Sequence, residues 1–437
     1  MKSLVPTRPR ASWLIPAWFA LLFISEFRFE HRSVLASAQG VTSTRVILEF
    51  SIYCLVGLIA GTYLVRAGWA SSRSTGLDLL FAYGLIAMIS AAWSLAPLFS
   101  AVRGSQVVAL GLLAKASTAL WAAEKRSLQV DWRRIWLVYV ALISMLGVWG
   151  FIVPDTRDDR FAWQGMHPVL VGALLGVSVV ACTFLLMDSK YGSRTTRGLL
   201  RIAWIWCLWL LILTVTRSAL AATSVSLLGL LVVYGKHGSP KQRALLFFAT
   251  GSASALLWWF APVITAYVLR GQTTEEFATL TGRVELWDYA GDQFWNAPIL
   301  GQGFGSGRVL LTEAFPWGGT GHNLWVEAGL GLGLLGIILV SAIAGWILRR
   351  CWLLVRYRLS VVAVGSFSVG LLIVIRSIGA ETFSVPGAEM TMIGLVLAAA
   401  SAEQSIALRQ MRTSMWEVSP EVLAGRQSDP KQEEVPT

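Results

Sequence analysis

Charge is what this sequence has least of. Asp, Glu, Lys and Arg make up 14% of its 437 residues, against about a quarter in soluble domains, which excludes an ordinary water-soluble globule. Cysteine is as sparse: Cys54, Cys182, Cys207 and Cys351 stand alone in or beside apolar runs. They have neither the spacing of a metal site nor the pairing of a disulfide framework. Histidine is limited to His31, His167, His237 and His322. No GxxxxGK[ST] loop is present to cradle a nucleotide's phosphates. The net charge is +11, but no basic stretch is interleaved with aromatic residues on a polar domain, so nucleic acid is not an expected partner.

Apolar residues fill the space that charge leaves, at 55% of the chain. Runs of roughly 17 to 25 of them are long enough to cross a bilayer as helices. They lie near 11–25, 45–65, 76–96, 103–122, 134–153, 167–187, 200–214, 218–235, 243–269, 323–348, 359–376 and 387–403. The expected fold is therefore an all-α polytopic membrane protein of about twelve transmembrane helices (11–13), with one long external loop carrying short amphipathic helices. Tryptophans such as Trp13, Trp69, Trp93, Trp136 and Trp325 fall near run ends, where amphipathic rings settle at the lipid–water boundary. The opening MKSLVPTRPR and the run after it resemble a signal peptide, yet no small-residue cleavage site follows, so the run reads as a retained helix. Residues 1–10 are then a cytoplasmic N-terminal tail, 11–403 the membrane domain and 404–437 a polar, disordered cytoplasmic tail.

The cations orient the layout. With the N-terminus cytoplasmic, 24 of the 36 lysines and arginines fall on inner loops and tails, 11 fall outside and Lys115 lies within a span. This is the positive-inside bias of a cytoplasmic membrane. All eleven outer cations are arginine: Arg28, Arg32, Arg45, Arg103, Arg157, Arg160, Arg217, Arg270, Arg283, Arg308 and Arg376. Arginine suits sites that grip phosphate or carboxylate, because its planar fork binds bidentately and keeps its charge. A plainer reading pairs single arginines with acids such as Asp155, Asp158 and Asp159. It weakens for the set, since several sit at helix ends where an unused charge is costly.

One connection is long, residues 270–322, and long loops between packed elements are usually functional. Within it TLTGRVELWDYAGDQFW sets Leu280, Val284, Trp287, Gly291 and Phe294 at helical spacing. That pattern predicts an amphipathic helix on the membrane surface, with Thr281 as its N-cap. NAPILGQGFGSG then supplies Gly301, Gly303, Gly305 and Gly307 for tight turns, without the preceding strand or spacing of a phosphate-binding fingerprint. Four outer features stand out: LTVTRSA with Arg217, TLTGRVELW with Arg283, GHNLW with His322 and Asn323, and RFAWQGMHP running from Arg160 to Pro168.

In these motifs, in this order, the chain resembles the O-antigen ligase and Wzy-type polymerase superfamily of bacterial membrane glycosyltransferases. The likeness rests on LTVTRSA, on TLTGRVELW followed by APILGQGFGSG, and on GHNLWVEAGLGLGLLG, covering roughly 205–345. Weaker echoes are AAWSLAP at 91–97, RFAWQGMHP at 160–168 and IRSIGAE at 375–381. Thr216 departs from the serine often found before the arginine, but keeps the hydroxyl. The resemblance implies a polyprenyl-diphosphate-linked glycan donor at the outer leaflet of the bacterial inner membrane and a glycan or lipid-linked acceptor hydroxyl. It implies Arg217 and Arg283 as diphosphate ligands and His322 as base, with Arg160 and Arg376 as supports. Membrane lipids and other polysaccharide-assembly proteins are the expected partners.

The residues point the same way by a separate route. Outside the inner membrane there is no ATP, so a transferase there must receive a sugar already carrying a good leaving group. Its departing charge needs cations, and the external loops offer arginines rather than an Asp-x-Asp pair or a histidine–carboxylate metal cluster. No cofactor and no metal are therefore expected. Histidine is the side chain best poised near neutral pH to take a hydroxyl's proton. A single displacement at the anomeric carbon inverts it.

Blander roles compete. His322 can cap the helix it precedes, Asn323 and Glu327 can bond each other at i, i+4, and Gly329 and Gly333 form a GxxxG suited to close helix packing. His167 before Pro168 reads as a helix-start residue rather than a second base. Two other functional classes also fit a polytopic chain: a lipid-linked oligosaccharide flippase, expected to line a central cavity with charge and often to show internal repeats, and a non-catalytic scaffold. Neither accounts for arginines gathered at one face.

Overall fold

The structure is a computed structural model that describes residues 13–26, 44–155, 160–188, 192–237, 261–269, 283–315, 319–357 and 359–426. Its helices are α1 (Leu14–Glu26), α2 (Thr44–Ala67), α3 (Thr75–Ile89), α4 (Pro97–Ala123), α5 (Lys125–Ile152), α6 (Pro168–Met187) and α7 (Arg194–Leu213). They continue with α8 (Arg217–His237), α9 (Ala261–Leu269), α10 (Arg283–Asn296), α11 (Gly307–Ala314), α12 (Leu324–Tyr357), α13 (Val361–Arg376) and α14 (Ala388–Arg426). Among the described residues nine helices are long and apolar enough to cross a membrane, with two shorter apolar helices at Leu14–Ile24 and Val361–Arg376. No strand occurs among the described residues, only an isolated bridge between Pro154 and Trp163. The chain is an all-α polytopic membrane protein. The expected N-terminal tail, the stretch 243–260, Thr281, Asp158, Asp159 and residues 427–437 lie outside the described residues.

Local signals set the helix starts. Pro97 and Pro168 open α4 and α6, where a missing N–H is no loss. Ser193 accepts from the Thr196 N–H at 3.2 Å and Ser360 from the Ala363 N–H at 3.0 Å, each satisfying an amide that the helix cannot. His167 acts in the same way, its Nδ1 accepting the Val169 N–H at 3.2 Å.

Packing sorts the spans into an inner and an outer set. α4, α6 and α14 are the most buried; α2 and α7 are the least. α4 carries α2, α3 and α14 on its sides, while α13 packs against α8, α12 and α14. The outer helices turn large apolar side chains outward, for example Leu55 and Leu58 on α2 and Ile202 and Ile205 on α7, as a lipid-facing surface requires.

Four sequence expectations change. Trp136 is not a boundary anchor: it is fully buried, edge-on to Trp132 and Phe184. α14 runs helically to Arg426, past the expected end of the span at 403. α10 exists, but its stripe is out of phase, with Leu286 and Ala290 buried and Val284 exposed. Those two pack with Leu311 and Leu330 into a small separate core, so α10 sits on protein rather than on lipid.

The fourth change concerns the GxxxG. α12 has 34 residues, about 50 Å of straight helix, where about 30 Å of hydrocarbon needs crossing. It breaks at Gly333, whose φ of 62° and ψ of −152° leave the helical region. The glycine loop crosses the break: Gln302 N–H bonds to Leu330 O and Gly303 N–H to Gly331 O, both at 2.9 Å. A Cβ on Gly333 would meet the Ile299 backbone at 2.5 Å. Gly333 therefore admits a loop, not a second helix.

Candidate active site

The turn that follows α13 gathers the site. Ser377 O accepts the Leu324 N–H at 3.0 Å, Ile378 O accepts from Asn323 Nδ2 at 3.0 Å, and Gly379 O accepts from Arg283 Nη1 at 3.3 Å. A Cβ on Gly379 would stand 3.4 Å from the Cβ of Ser218, the residue after Arg217. Three successive residues thus touch the starts of α8, α10 and α12. Each of those starts carries one expected site residue: Arg217, Arg283 or His322.

Backbone strain marks the same places. Among the described residues only Val215 (φ 47°) and His322 (φ 48°) are non-glycine residues with positive φ. The left-handed region costs about 1–2 kcal/mol for a side chain with a Cβ. It persists where surrounding contacts over-determine it, typically at working sites. At Val215 the fixing contacts are its own N–H to Ile212 O at 3.0 Å and the Thr216 hydroxyl to Pro168 O at 3.1 Å. At His322 they are the Trp287 indole N–H to Gly321 O at 2.8 Å and the Gly321 N–H to Glu327 Oε1 at 2.5 Å.

The capping role goes to the neighbour. Asn323 Oδ1 accepts the Trp325 N–H at 2.8 Å and the Val326 N–H at 3.2 Å, so α12 has its cap and the His322 ring is released from that duty. Asn323 and Glu327 do not bond each other through their side chains. Buried Glu327 instead holds the Gly321 amide and so fixes the turn that presents His322.

Electrostatics tie the group together. Burial, then the nearby Arg217, lowers the pKa of Arg283 from its ordinary value. His322 is pushed down to about 4, first by burial and then by Arg283, with Glu381 opposing and His167 adding to the depression. At neutral pH its imidazole is uncharged. Arg217 Nη2 also donates to Leu269 O at 3.2 Å.

The two remaining arginines differ. Arg376 comes to this end of the bundle, but it is buried, salt-bridged to Glu389, and donates through Nη2 to Val169 O at 3.1 Å. Arg160 is half-buried beside Phe161, whose N–H bonds to Leu213 O at 3.0 Å, close to the turn before Arg217. Sequence reasoning missed Glu381, which pairs with Arg308 at 3.3 Å and has a buried Oε2 without a hydrogen-bond partner. The echo IRSIGAE contained both Gly379 and Glu381; only the fold reveals what they touch.

AAWSLAP also finds its place. Leu95 N–H bonds to Gln302 O at 3.1 Å, the Ser100 hydroxyl to Phe304 O at 2.6 Å, and the Ser90 hydroxyl receives the Phe304 N–H at 2.9 Å. The glycine loop is thereby clamped between α3, α4 and α12. Its amides at 302, 303 and 304 are spent on protein rather than on a phosphate.

Comparison with known proteins supplies the last observation. Residues 202–341 match the family described as O-antigen ligase, a stretch that holds Arg217, Arg283, His322, Asn323 and Glu327. No curated protein matches the chain. The matched stretch spans LTVTRSA, TLTGRVELW and GHNLW, so this part of the membrane protein is similar to the O-antigen ligase family.

Proposed function

We propose that the chain is an integral-membrane glycosyltransferase. It moves a glycan from a polyprenyl-diphosphate-linked donor to an acceptor hydroxyl at the outer face of the bacterial inner membrane, in surface polysaccharide assembly. Both termini are cytoplasmic in this reading, which rests on the count of inner and outer cations. The observation that carries it is the meeting of Arg217, Arg283 and His322 around one turn, where the only two strained non-glycine residues among those described are His322 itself and Val215, two before Arg217.

In the reaction the acceptor oxygen forms a bond to the anomeric carbon while the bond from that carbon to the diphosphate oxygen breaks. The electron pair leaves with polyprenyl diphosphate, whose charge Arg217 and Arg283 hold. The acceptor proton passes to His322. Each arginine offers a fork, and the pair spans two phosphates in a way a lysine cannot. A positioned base of this kind contributes about 100- to 10,000-fold. Attack opposite the leaving group inverts the anomeric carbon.

The low pKa of His322 suits a base that waits for its substrate. With no donor bound, burial first and then the positive charge of Arg283 discourage a proton on the ring. An incoming diphosphate offsets the Arg283 contribution and raises the basicity of the imidazole when it is needed. Glu381 favours the imidazolium that forms, and Arg308 holds Glu381 in place. Arg160 supports the diphosphate from the rim, while Arg376 sets the position of the turn through Glu389 and Val169. No metal takes part, so a chelator leaves transfer unchanged.

TLTGRVELW leans toward the branch that polymerises exopolysaccharide repeat units rather than the ligases. The test uses the purified full-length chain in lipid nanodiscs with a polyprenyl-diphosphate oligosaccharide. Wild type releases polyprenyl diphosphate and yields a product with inverted configuration by NMR, whereas His322→Ala does neither while inserting normally. A His322→Ala variant with wild-type transfer removes the base. A wild-type chain that moves the donor across the bilayer without cleaving it makes this a flippase.

A further inference from the structure

The opposite end of the bundle holds a cationic hollow that the proposed transfer does not use. α3 starts there at Thr75 and ends near the glycine loop, where Ser90 accepts the Phe304 N–H. Along α14 the hollow lies some 15 residues beyond Glu389, about 20 Å of helix. It encloses about 450 Å³ between the start of α3, the second half of α12 and the middle of α14.

Its charge is unbalanced. Asp78 is the one carboxylate among the lining residues, and it is already bound by Lys115, whose side chain is only 1% exposed. The Lys115 ammonium also lies 5.2 Å from the centre of the Trp69 ring, so this lysine serves the fold. Arg73 and Arg350 remain, both lining the hollow, and neither makes an ion pair among the described residues. Arg350 is held over the Trp346 ring at 5.8 Å, which aims the guanidinium rather than neutralising it. The side-chain amide of Gln404 lines the same space and makes no hydrogen bond among the described residues.

Two arginine forks and an amide donor facing one cavity, with the one lining acid already matched and the neighbouring Glu403 buried behind the lining, describe a receptor for a phosphate ester. The rim says which kind. Trp69 is 45% and Leu408 49% exposed at its edge, an apolar border that a free phosphate would not use and an acyl chain would. On the orientation given by the cation count this rim faces the inner leaflet, where anionic lipids are concentrated. We propose that this hollow binds the phosphate head group of an anionic phospholipid, with Arg73 and Arg350 gripping the phosphodiester and the acyl chains leaving past Trp69 and Leu408. This does not depend on the transfer reaction, and its failure would leave that reading untouched.

The experiment titrates the detergent-purified full-length chain with phosphatidylglycerol, phosphatidylcholine or inorganic phosphate and reads bound species by native mass spectrometry. Wild type should hold one phosphatidylglycerol at least tenfold more tightly than phosphatidylcholine. Arg73→Gln with Arg350→Gln should reduce that preference to within twofold, and Arg66→Gln, an exposed cation at the end of α2 outside the hollow, should leave it intact. Ser405→Leu fills the hollow without touching either charge and should also abolish the preference, which covers the event that the double variant fails to fold. An undiminished preference in the double variant and in Ser405→Leu overturns the site. So does an equal loss in Arg66→Gln, which indicates diffuse attraction. Uptake of inorganic phosphate with no preference for phosphatidylglycerol overturns the head-group assignment.

Discussion

Arg376 and Arg283 reach the same turn of chain and are treated in opposite ways. Arg376 is 3% exposed, salt-bridged to Glu389, and tied to the first turn of α6 through Val169 O. Arg283 is half-buried, makes no ion pair among the described residues, and donates to a neutral acceptor, Gly379 O. A carboxylate partner turns an arginine into a strut. A carbonyl partner orients the guanidinium and leaves its charge available. The strut fixes the turn, and the turn aims the open arginine; under the proposed function only the open one meets substrate, so two residues of the same type take different duties.

Substitutions should pull that division apart. The largest effect is expected at the open group: His322→Ala should lower transfer about 100- to 10,000-fold, and Arg217→Lys and Arg283→Lys should each lower it substantially. Thermal unfolding midpoints in detergent should stay near wild type. A matching loss of thermal stability would make these residues struts as well. Next, Glu389→Ala strands the buried Arg376 charge and should destabilise the fold by about 3–5 kcal/mol, measured by unfolding. Arg376→Met with Glu389→Met should recover most of it, as a well-packed apolar pair can replace a buried ion pair. A double variant as unstable as the single one would deny that the pair acts as a unit.

Glu327→Ala should come third. It releases the Gly321 amide that fixes the His322 turn, and a drop of about tenfold in kcat/KM corresponds to about 1.4 kcal/mol of transition-state stabilisation. Glu327→Gln keeps an oxygen for that amide and should keep most of the activity. The smallest effect is in the pH profile. His322 in the free protein titrates near 4 rather than near 6.5, so its neutral form persists as pH falls and the acid limb of kcat/KM should lie well below that of an ordinary histidine. Glu381→Gln removes a charge that favours the proton, so it should move the limb lower still. A limb near 6.5 in wild type would argue against the buried, arginine-flanked ring.

The membrane spans were legible because bilayer thickness imposes a run length that composition alone reveals. Arg217, Arg283 and His322 were nominated because their motifs stand in a recognisable order, and the fold brings them to one turn. Glu381 and Gly379 were not. They follow α13 by a few residues and lie about a hundred positions from Arg283, and no periodicity connects such distant residues. The face of α10 was misread because amphipathic spacing allows more than one stripe. Burial of Leu286 and Ala290 depends on Leu311 and Leu330, supplied from elsewhere in the chain.

By itself the sequence determined that this chain carries helices long and apolar enough to cross a bilayer, and which kinds of side chain its connecting segments offer: guanidinium groups, and one imidazole beside a glycine-rich helix. Those properties are local, set by the hydrophobicity of each run and the chemistry of each residue. Only the tertiary structure decided which arginine keeps its charge free, which residue caps α12 and where the backbone is strained. Such outcomes depend on partners brought together from distant positions, since neutralisation, desolvation and strain belong to a neighbourhood rather than to a residue.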